Sequence, residues 1–260
     1  MSKQKSSTMA KQDPIDYVSG LEMSFPSAKF ETTRSSTAET KAVKAGEEQA
    51  FLADKSVISF VSEVSEQNRK DVLNSTLLAQ MAANKKFPNE ADMLKWYEAF
   101  IEVLSKIGWN IENAEVQNFE DTKNVFEVEN VIIDILTSAF GGTFAKVILK
   151  TLESLKSMSS NDKKILAFEK NTHTVTKGCF QIALAVEKNN SVSMQLGTFL
   201  LTTNSKIKQI LFFKSSKDKT RLQYTSRRGT LNSEVYSDVR TMVQQKLGKS
   251  VNEYVAEIDI

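Results

Sequence analysis

The spacing of hydrophobic positions changes part of the way along this chain. From residue 66 to about 84, Leu73, Leu77 and Met81 fall four apart with Val72 and Thr76 beside them, which makes one apolar stripe on a helix. Residues 56–61, a short apolar run just ahead of it, read as a strand. Pro88-Asn89 predicts the start of a second helix, with Asn89 as N-cap and Asp92 in its first turn. Met93, Trp96, Tyr97, Phe100, Leu104 and Ile107 form its buried face, and Gly108 ends it as a C′ glycine does. The link over 85–88 is short, so the two helices form an antiparallel hairpin. Residues 109–120 read as an edge strand. The long apolar stretch over 128–155, broken by Gly141-Gly142, reads as two helices or one kinked helix, and a polar helix follows over 161–171.

From residue 180 onward the period is two. Phe180, Ile182, Leu184 and Val186 alternate with Gln181, Ala183 and Ala185, and Val192, Met194 and Leu196 alternate with Ser193 and Gln195. Gly197 then suggests a bulge. Residues 207–213 and 220–226 continue the pattern, and the links between runs are short and polar, so the whole predicts a four-stranded antiparallel meander. A last amphipathic helix over 233–247 closes with Gly248, and 251–260 makes a final strand or helix. Helices first and consecutive strands after them predict the α+β class: an antiparallel β-meander sheet packed with N-terminal helical hairpins and a C-terminal helix.

Composition adds boundaries. Thirteen of the first 40 residues are Ser or Thr, and a segment so polar buries too little apolar surface to offset its ordering entropy. Residues 1–46 are therefore expected to be a flexible polar tail, in which Tyr17-Val18 and residues 25–30 are two small patches able to dock. Residues 47–260 are expected to form a single α+β domain, with a helical half over 47–174 and the β-meander plus C-terminal helix over 175–260. A domain of that size buries a core without staples. The one cysteine, Cys179, excludes an internal disulfide. The opening MSKQKSSTMAKQDP has no apolar run, hence no Sec signal peptide is expected. The chain is read as cytoplasmic when synthesised, with release by lysis or a dedicated machine.

The residues offer little for catalysis, and no enzyme is expected. His173 is the only histidine. A thiolate nucleophile needs a base within hydrogen-bond reach, and His173 with Cys179 has no recognisable orienting group beside it. The same two residues are the only His/Cys zinc ligands, so no metal is expected. Gly141-Gly142-Thr143 lacks the Walker spacing and its lysine.

Three features point instead toward lipid. The net charge is +2, yet residues 204–230 hold Lys206, Lys208, Lys214, Lys217, Lys219, Arg221, Arg227 and Arg228 against Asp218 alone. Such a cluster suits an anionic surface, or blocks strand-to-strand aggregation at a sheet edge. A nucleic-acid partner is not expected, because two of the three aromatics within it, Phe212, Phe213 and Tyr224, should face the core. The apolar stretch carries Val131, Ile132, Ile135, Leu136, Phe140, Phe144, Val147 and Ile148, with Asp134 and Lys146 inside it. Two charges and a Gly-Gly break make it a poor constitutive transmembrane span. It reads as a buried helical pair, or as a segment held in the core and released onto lipid. Cys179 opens the first meander strand, either as an inert buried thiol or as the attachment point of a fatty acyl group, the one cofactor considered.

Two segments resemble parts of little-characterised bacterial and fungal proteins of similar length. One is Leu73-Asn74-Ser75-Thr76-Leu77-Leu78-Ala79-Gln80-Met81-Ala82-Ala83-Asn84-Lys85-Lys86-Phe87, with Trp96-Tyr97 and Gly108-Trp109 after it. The other runs from Tyr236-Ser237-Asp238-Val239-Arg240 through Lys246-Leu247-Gly248 to Ile258-Asp259-Ile260. The arrangement of helical hairpins wrapped on an antiparallel sheet after a loose N-terminus is similar to that of the Erwinia virulence factor Evf family and of the Cyt-type cytolytic δ-endotoxins. Likeness to the first implies a palmitoyl chain on a cysteine; likeness to the second implies membrane binding and lysis. The expected function is a non-enzymatic lipid- or membrane-interacting protein of toxin or virulence type. The alternative is a self-assembling structural protein whose N-terminal tail orders on neighbouring subunits. The expected partner is an anionic lipid surface or another copy of the chain in a homo-oligomer.

Overall fold

The computed structural model describes residues 13–30, 43–119, 125–216 and 219–260. In chain order the elements are α1 (Pro14–Gly20), β1 (Gln49–Ala53), β2 (Ser56–Phe60), α2 (Glu66–Lys86), a 3₁₀ turn (Glu90–Asp92), α3 (Met93–Lys106), β3 (Trp109–Ile111), β4 (Gln117–Asn118), β5 (Val125–Glu127), α4 (Val128–Phe140), α5 (Gly142–Ser157), α6 (Lys163–Thr172), β6 (Lys177–Lys188), β7 (Ser191–Thr203), β8 (Lys214–Ser216), β9 (Thr220–Leu231), α7 (Ser233–Leu247), α8 (Ser250–Tyr254) and β10 (Val255–Ile258). The class is α+β.

The main sheet has the order β10-β1-β2-β6-β7-β9-β3, with β4 also on β9. All its pairings are antiparallel except β2 with β6, which run parallel in the register Ser56↔Gln181 to Phe60↔Ala185. The β6–β7 hairpin turns on Asn189 (φ 52) and Asn190 (φ 60), two residues that tolerate the left-handed backbone a two-residue hairpin needs. Both faces are covered. Phe51, Ile58, Phe60, Cys179, Ala183, Ala185, Met194 and Leu196 pack into one core with α2, α3 and α7. Leu52, Val57, Phe180, Ile182, Leu184, Phe199 and Leu201 pack into a second core with α4, α5 and α6. Because neither face meets water, the central strands read as nearly continuous apolar runs.

α2 is the centre of the first core. Ser65 caps it by accepting from Asn68 N (3.4 Å). Rather than one buried stripe, it is buried all round from Asp71 to Ala83, because the sheet, α3 and α7 enclose it. Its two buried charged groups are accordingly paired. Arg69 is fully buried and donates to Val64 O (2.8 Å), Gln49 Oε1 (2.9 Å), Glu47 O (2.7 Å) and Val61 O (2.9 Å). Asp71 accepts from Arg240 of α7 at 2.9 to 3.2 Å.

Several sequence expectations need correction. The meander within the main sheet has three strands, β6, β7 and β9. Residues 207–213 form an irregular loop whose Ile207, Ile210, Leu211 and Phe213 anchor it in the second core. Only Lys214–Ser216 pair beyond it, with β5, in a separate two-stranded sheet. Gly197 makes no bulge: it pairs regularly with Ile182 and Ser226. A Cβ there would lie 2.5 Å from Leu136 Cδ2 of α4, so glycine lets α4 pack close to β7. Asn89 makes no side-chain cap bond, and a 3₁₀ turn intervenes before α3. Of the expected tail, residues 1–12 and 31–42 lie outside the described residues, whereas 13–30 are docked. Val18 packs in the first core and Phe30 in the second, and Phe30 N donates to Glu253 O (2.7 Å).

Candidate functional site

The three lipid-facing features of the sequence come to different places. α4 and α5 form an antiparallel hairpin with its tip at Gly141-Gly142, where Gly141 has φ +92 and no heavy atom lies within 4 Å of an added Cβ on either glycine. Val131, Ile132, Ile135, Leu136, Phe144, Val147 and Ile148 are buried on the second core, and Phe140 is half-buried, stacked obliquely on Phe144 at 5.0 Å. Asp134 and Lys146 are exposed on the outer surface. The hairpin is tied to the sheet by a few polar bonds: the Thr151 and Ser59 hydroxyls at 2.9 Å, Lys150 with Glu48 at 2.8 Å, and Arg228 Nη2 donating to Ala139 O at 3.4 Å. Among the described residues no helix is long and apolar enough to cross a membrane.

The basic residues separate into two sets. Lys206 and Lys208 are exposed in the loop after β7, Lys214 in β8, and Lys219 and Arg221 about the start of β9. Asn204 N donates to Lys219 O (3.0 Å) and Thr202 pairs with Arg221, which brings this set to one end of the sheet. Lys214 there pairs with Glu127 (2.9 Å). Lys217, with Asp218, lies outside the described residues. Arg227 and Arg228 lie farther along β9, opposite Leu196 and Gln195, and Arg228 is exposed. As neighbours on a strand they point to opposite faces. Arg227 donates to Ala114 O (2.7 Å) and Glu112 O (3.2 Å) and lies 5.5 Å from the Tyr97 ring; Arg228 lies 5.7 Å from the Phe140 ring. They bind the chain to itself.

Cys179 is buried in the first core, on the face of the sheet opposite the α4–α5 hairpin. Burial pushes its thiol up to about 11, so it is protonated at neutral pH and poorly nucleophilic. His173 cannot activate it: its Nδ1 lies 2.6 Å from Thr174 O and its Nε2 2.9 Å from Glu169 Oε2. Cys179 instead forms part of the wall of a cavity of about 260 Å³. The other walls come from the N-terminal segment (Ser24, Ser27), the α2–α3 connection (Phe87, Met93, Trp96) and the α6–β6 junction (Lys170, Lys177). Lys55 closes it, with Nζ 4.8 Å from the Trp96 ring centre. Sequence reasoning missed this cavity. Its lining is assembled by the parallel β2–β6 pairing, through which Gln181 N donates to Lys55 O (2.9 Å) and sets Lys55 near Cys179. No local pattern announces such a long-range pairing.

Below the cavity floor Asp54 occupies the β1–β2 turn, fully buried, at φ 48. Asn84 Nδ2 donates to its Oδ2 (3.3 Å), while Asn84 Oδ1 accepts from Trp96 Nε1 (2.7 Å). Burial raises its pKa to about 6, against the opposing pull of the Lys55 charge. Among the described residues no group of three or more His, Cys, Asp or Glu side chains is placed to hold a metal ion.

No protein-family model and no curated protein matches the sequence. Solved structures with a similar fold include a delta-endotoxin, at TM-score 0.43 and 13% identity over 68% of this chain and 79% of that one. The activated Cyt2Ba monomer of Bacillus thuringiensis subsp. israelensis is similar at TM-score 0.33 and 13% identity, over 52% and 79%. The Evf virulence factor is similar at TM-score 0.31 and 15% identity, over 83% and 84%. These are the architectures the sequence resembles. At such scores and identities the likeness carries no argument about function, which has to come from the residues of this chain.

Proposed function

We propose that this protein acts, without catalysing a reaction, at anionic lipid surfaces, as a membrane-interacting protein of toxin or virulence type in which the α4–α5 hairpin exchanges the sheet for lipid. The observation that carries this reading is the hairpin itself. Ten of its large apolar side chains are buried in the second core, its outer surface is charged, its tip is an unpacked Gly-Gly, and few polar bonds hold it down. At about 1.5–3 kcal/mol for each buried side chain, exposing that face to water costs on the order of 15–30 kcal/mol. Lipid removes most of the cost, because an acyl layer is as apolar as the face it replaces. At 13 and 16 residues the helices are too short to span a bilayer, and they suit a position in the interface plane. The exposed Lys206, Lys208, Lys219 and Arg221 supply attraction to anionic headgroups, about 1 kcal/mol each near such a surface.

The test is co-sedimentation with phosphatidylserine-containing vesicles and with pure phosphatidylcholine vesicles, at low and high salt. Binding should require the anionic lipid and weaken with salt. Reversing Lys206, Lys208, Lys219 and Arg221 to glutamate should lower affinity by about a hundredfold or more. Binding that ignores lipid charge and salt contradicts the proposal. Assembly into oligomers without lipid, together with no vesicle binding, would favour the self-assembling alternative.

A further inference from the structure

We propose that the cavity between the N-terminal segment, the α2–α3 connection and the α6–β6 junction binds a small organic oxyanion, a carboxylate or phosphate carrying a compact apolar body. The inference is independent of the membrane reading. It rests first on charge. Lys55, Lys170 and Lys177 line the cavity, and among the described residues no carboxylate does. None of the three lysines makes an ion pair among the described residues. Lys55 is half-buried, and its charge is set over the Trp96 ring rather than on an acid. The acids nearby are engaged elsewhere. Glu169 holds His173 Nε2 and accepts from Ile210 N (2.8 Å), and Asp54 accepts from Asn84 beneath the floor. A recess lined by three ammonium groups without an ion-pair partner among the described residues, with Asp54 lying behind it as the one nearby acid that feels the Lys55 charge, stabilises an anion more than open water would.

Shape and apolar surface define the rest of the ligand. Trp96 is stacked on Phe100 at 5.7 Å and fixed by its bond to Asn84, so its ring is a rigid wall. Met93, Phe87 and the protonated Cys179 thiol add apolar surface. With about 30 Å³ for each water-sized atom, 260 Å³ admits a body of roughly nine non-hydrogen atoms. A benzoate or phenyl phosphate is of that size, whereas a glycerophospholipid with its glycerol and chains is not. Among the described residues the cavity has no arginine, so it offers point charges rather than a bidentate fork, and it discriminates by charge and by the flat wall more than by oxyanion geometry.

Trp96 also provides the readout. The chain has two tryptophans, and the other, Trp109, is buried against Ser75 away from the cavity (Nε1 to Oγ 3.0 Å). In a ¹H–¹⁵N spectrum of the full chain, titration with benzoate or phenyl phosphate should shift the Trp96 indole resonance saturably, at millimolar or tighter affinity, and leave Trp109 unmoved. Benzamide, the neutral analogue of benzoate, should be without effect. Lys55→Met and Lys177→Met should each weaken the anion by about tenfold or more, with thermal unfolding unchanged to show that the fold is intact. No saturable shift, an equal response to benzamide, or full affinity in both lysine variants would overturn the proposal. Inorganic phosphate binding as tightly as phenyl phosphate would remove the apolar body from it. Displacement of phenyl phosphate by phosphatidylserine vesicles with the same lysine dependence would reassign the site to a lipid headgroup and overturn the free-anion reading.

Discussion

Replacing Asp54 by asparagine should stabilise the protein, and only at pH values where the aspartate would be charged. Asp54 is fully buried and burial raises its pKa from 3.8 to about 6. The folded state therefore holds a proton that the unfolded chain has already released within that window. The unfolded state binds fewer protons there, so stability falls as pH rises from 3.8 through 6 and is flat above. At about 1.4 kcal/mol for each pH unit, the ionised carboxylate costs the fold at most about 3 kcal/mol at neutral pH. Asparagine removes the charge, keeps an oxygen for Asn84, and is among the few residues that accept φ 48. Its new amide hydrogens need acceptors, which draws the gain below that ceiling. Urea unfolding of both proteins over a pH series measures the effect. The difference in favour of Asp54→Asn should be largest well above pH 6 and should shrink steadily toward 3.8. A difference that is constant with pH, or a variant less stable than the parent at neutral pH, would refute the reasoning that the burial of this charge is uncompensated.

Two further outcomes follow from the packing. Gly197→Ala puts a methyl 2.5 Å from Leu136 Cδ2, so α4 must lift or Leu136 must change rotamer, and urea unfolding should show a loss of about 1–3 kcal/mol; a neutral result would mean the hairpin already rides loosely on β7. The Cys179 thiol, held up to about 11, should react with iodoacetamide far more slowly in the native protein than in urea, and Cys179→Ser should cost about 1–3 kcal/mol for a buried hydroxyl without altering vesicle binding; an intact mass one fatty acyl group above the sequence mass, removed by neutral hydroxylamine, would show that the thiol serves lipid attachment instead.

What the sequence revealed was mainly local. The apolar spacing of α2, Gly108 after α3 (φ +110), the Gly141-Gly142 break, the short polar link at Asn189-Asn190 and Gly248 after α7 (φ +51) each mark an element with chemistry that acts over a few residues. Errors arose where distant segments decide. Residues 207–213 carry apolar side chains for anchoring a loop, and over so short a run their spacing imitates a strand. The strand parity of Cys179 and Phe180 shows that they face opposite ways, but not which helices cover each face; that depends on β2 joining β6 in parallel across the α2–α6 stretch. Within the basic cluster, Arg227 and Arg228 lie farther along β9 than the surface lysines and also meet backbone carbonyls and aromatic rings of other segments, contacts that residue counting does not show. The apolar patches at Val18 and Phe30 were visible, and their partners, in the two cores, were not.

The central claim is that the α4–α5 hairpin leaves the sheet at a lipid surface, and a reversible lock tests it most directly. The Ser59 hydroxyl of β2 and the Thr151 hydroxyl of α5 meet at 2.9 Å, so side chains at these two positions touch across the hairpin–sheet interface. Ser59→Cys with Thr151→Cys, oxidised, would fasten the hairpin to the sheet; reduced, it would free it. Dye release from phosphatidylserine vesicles should be abolished in the oxidised protein and restored by reductant. Equal release in both redox states, with the crosslink verified by mass, would contradict the account.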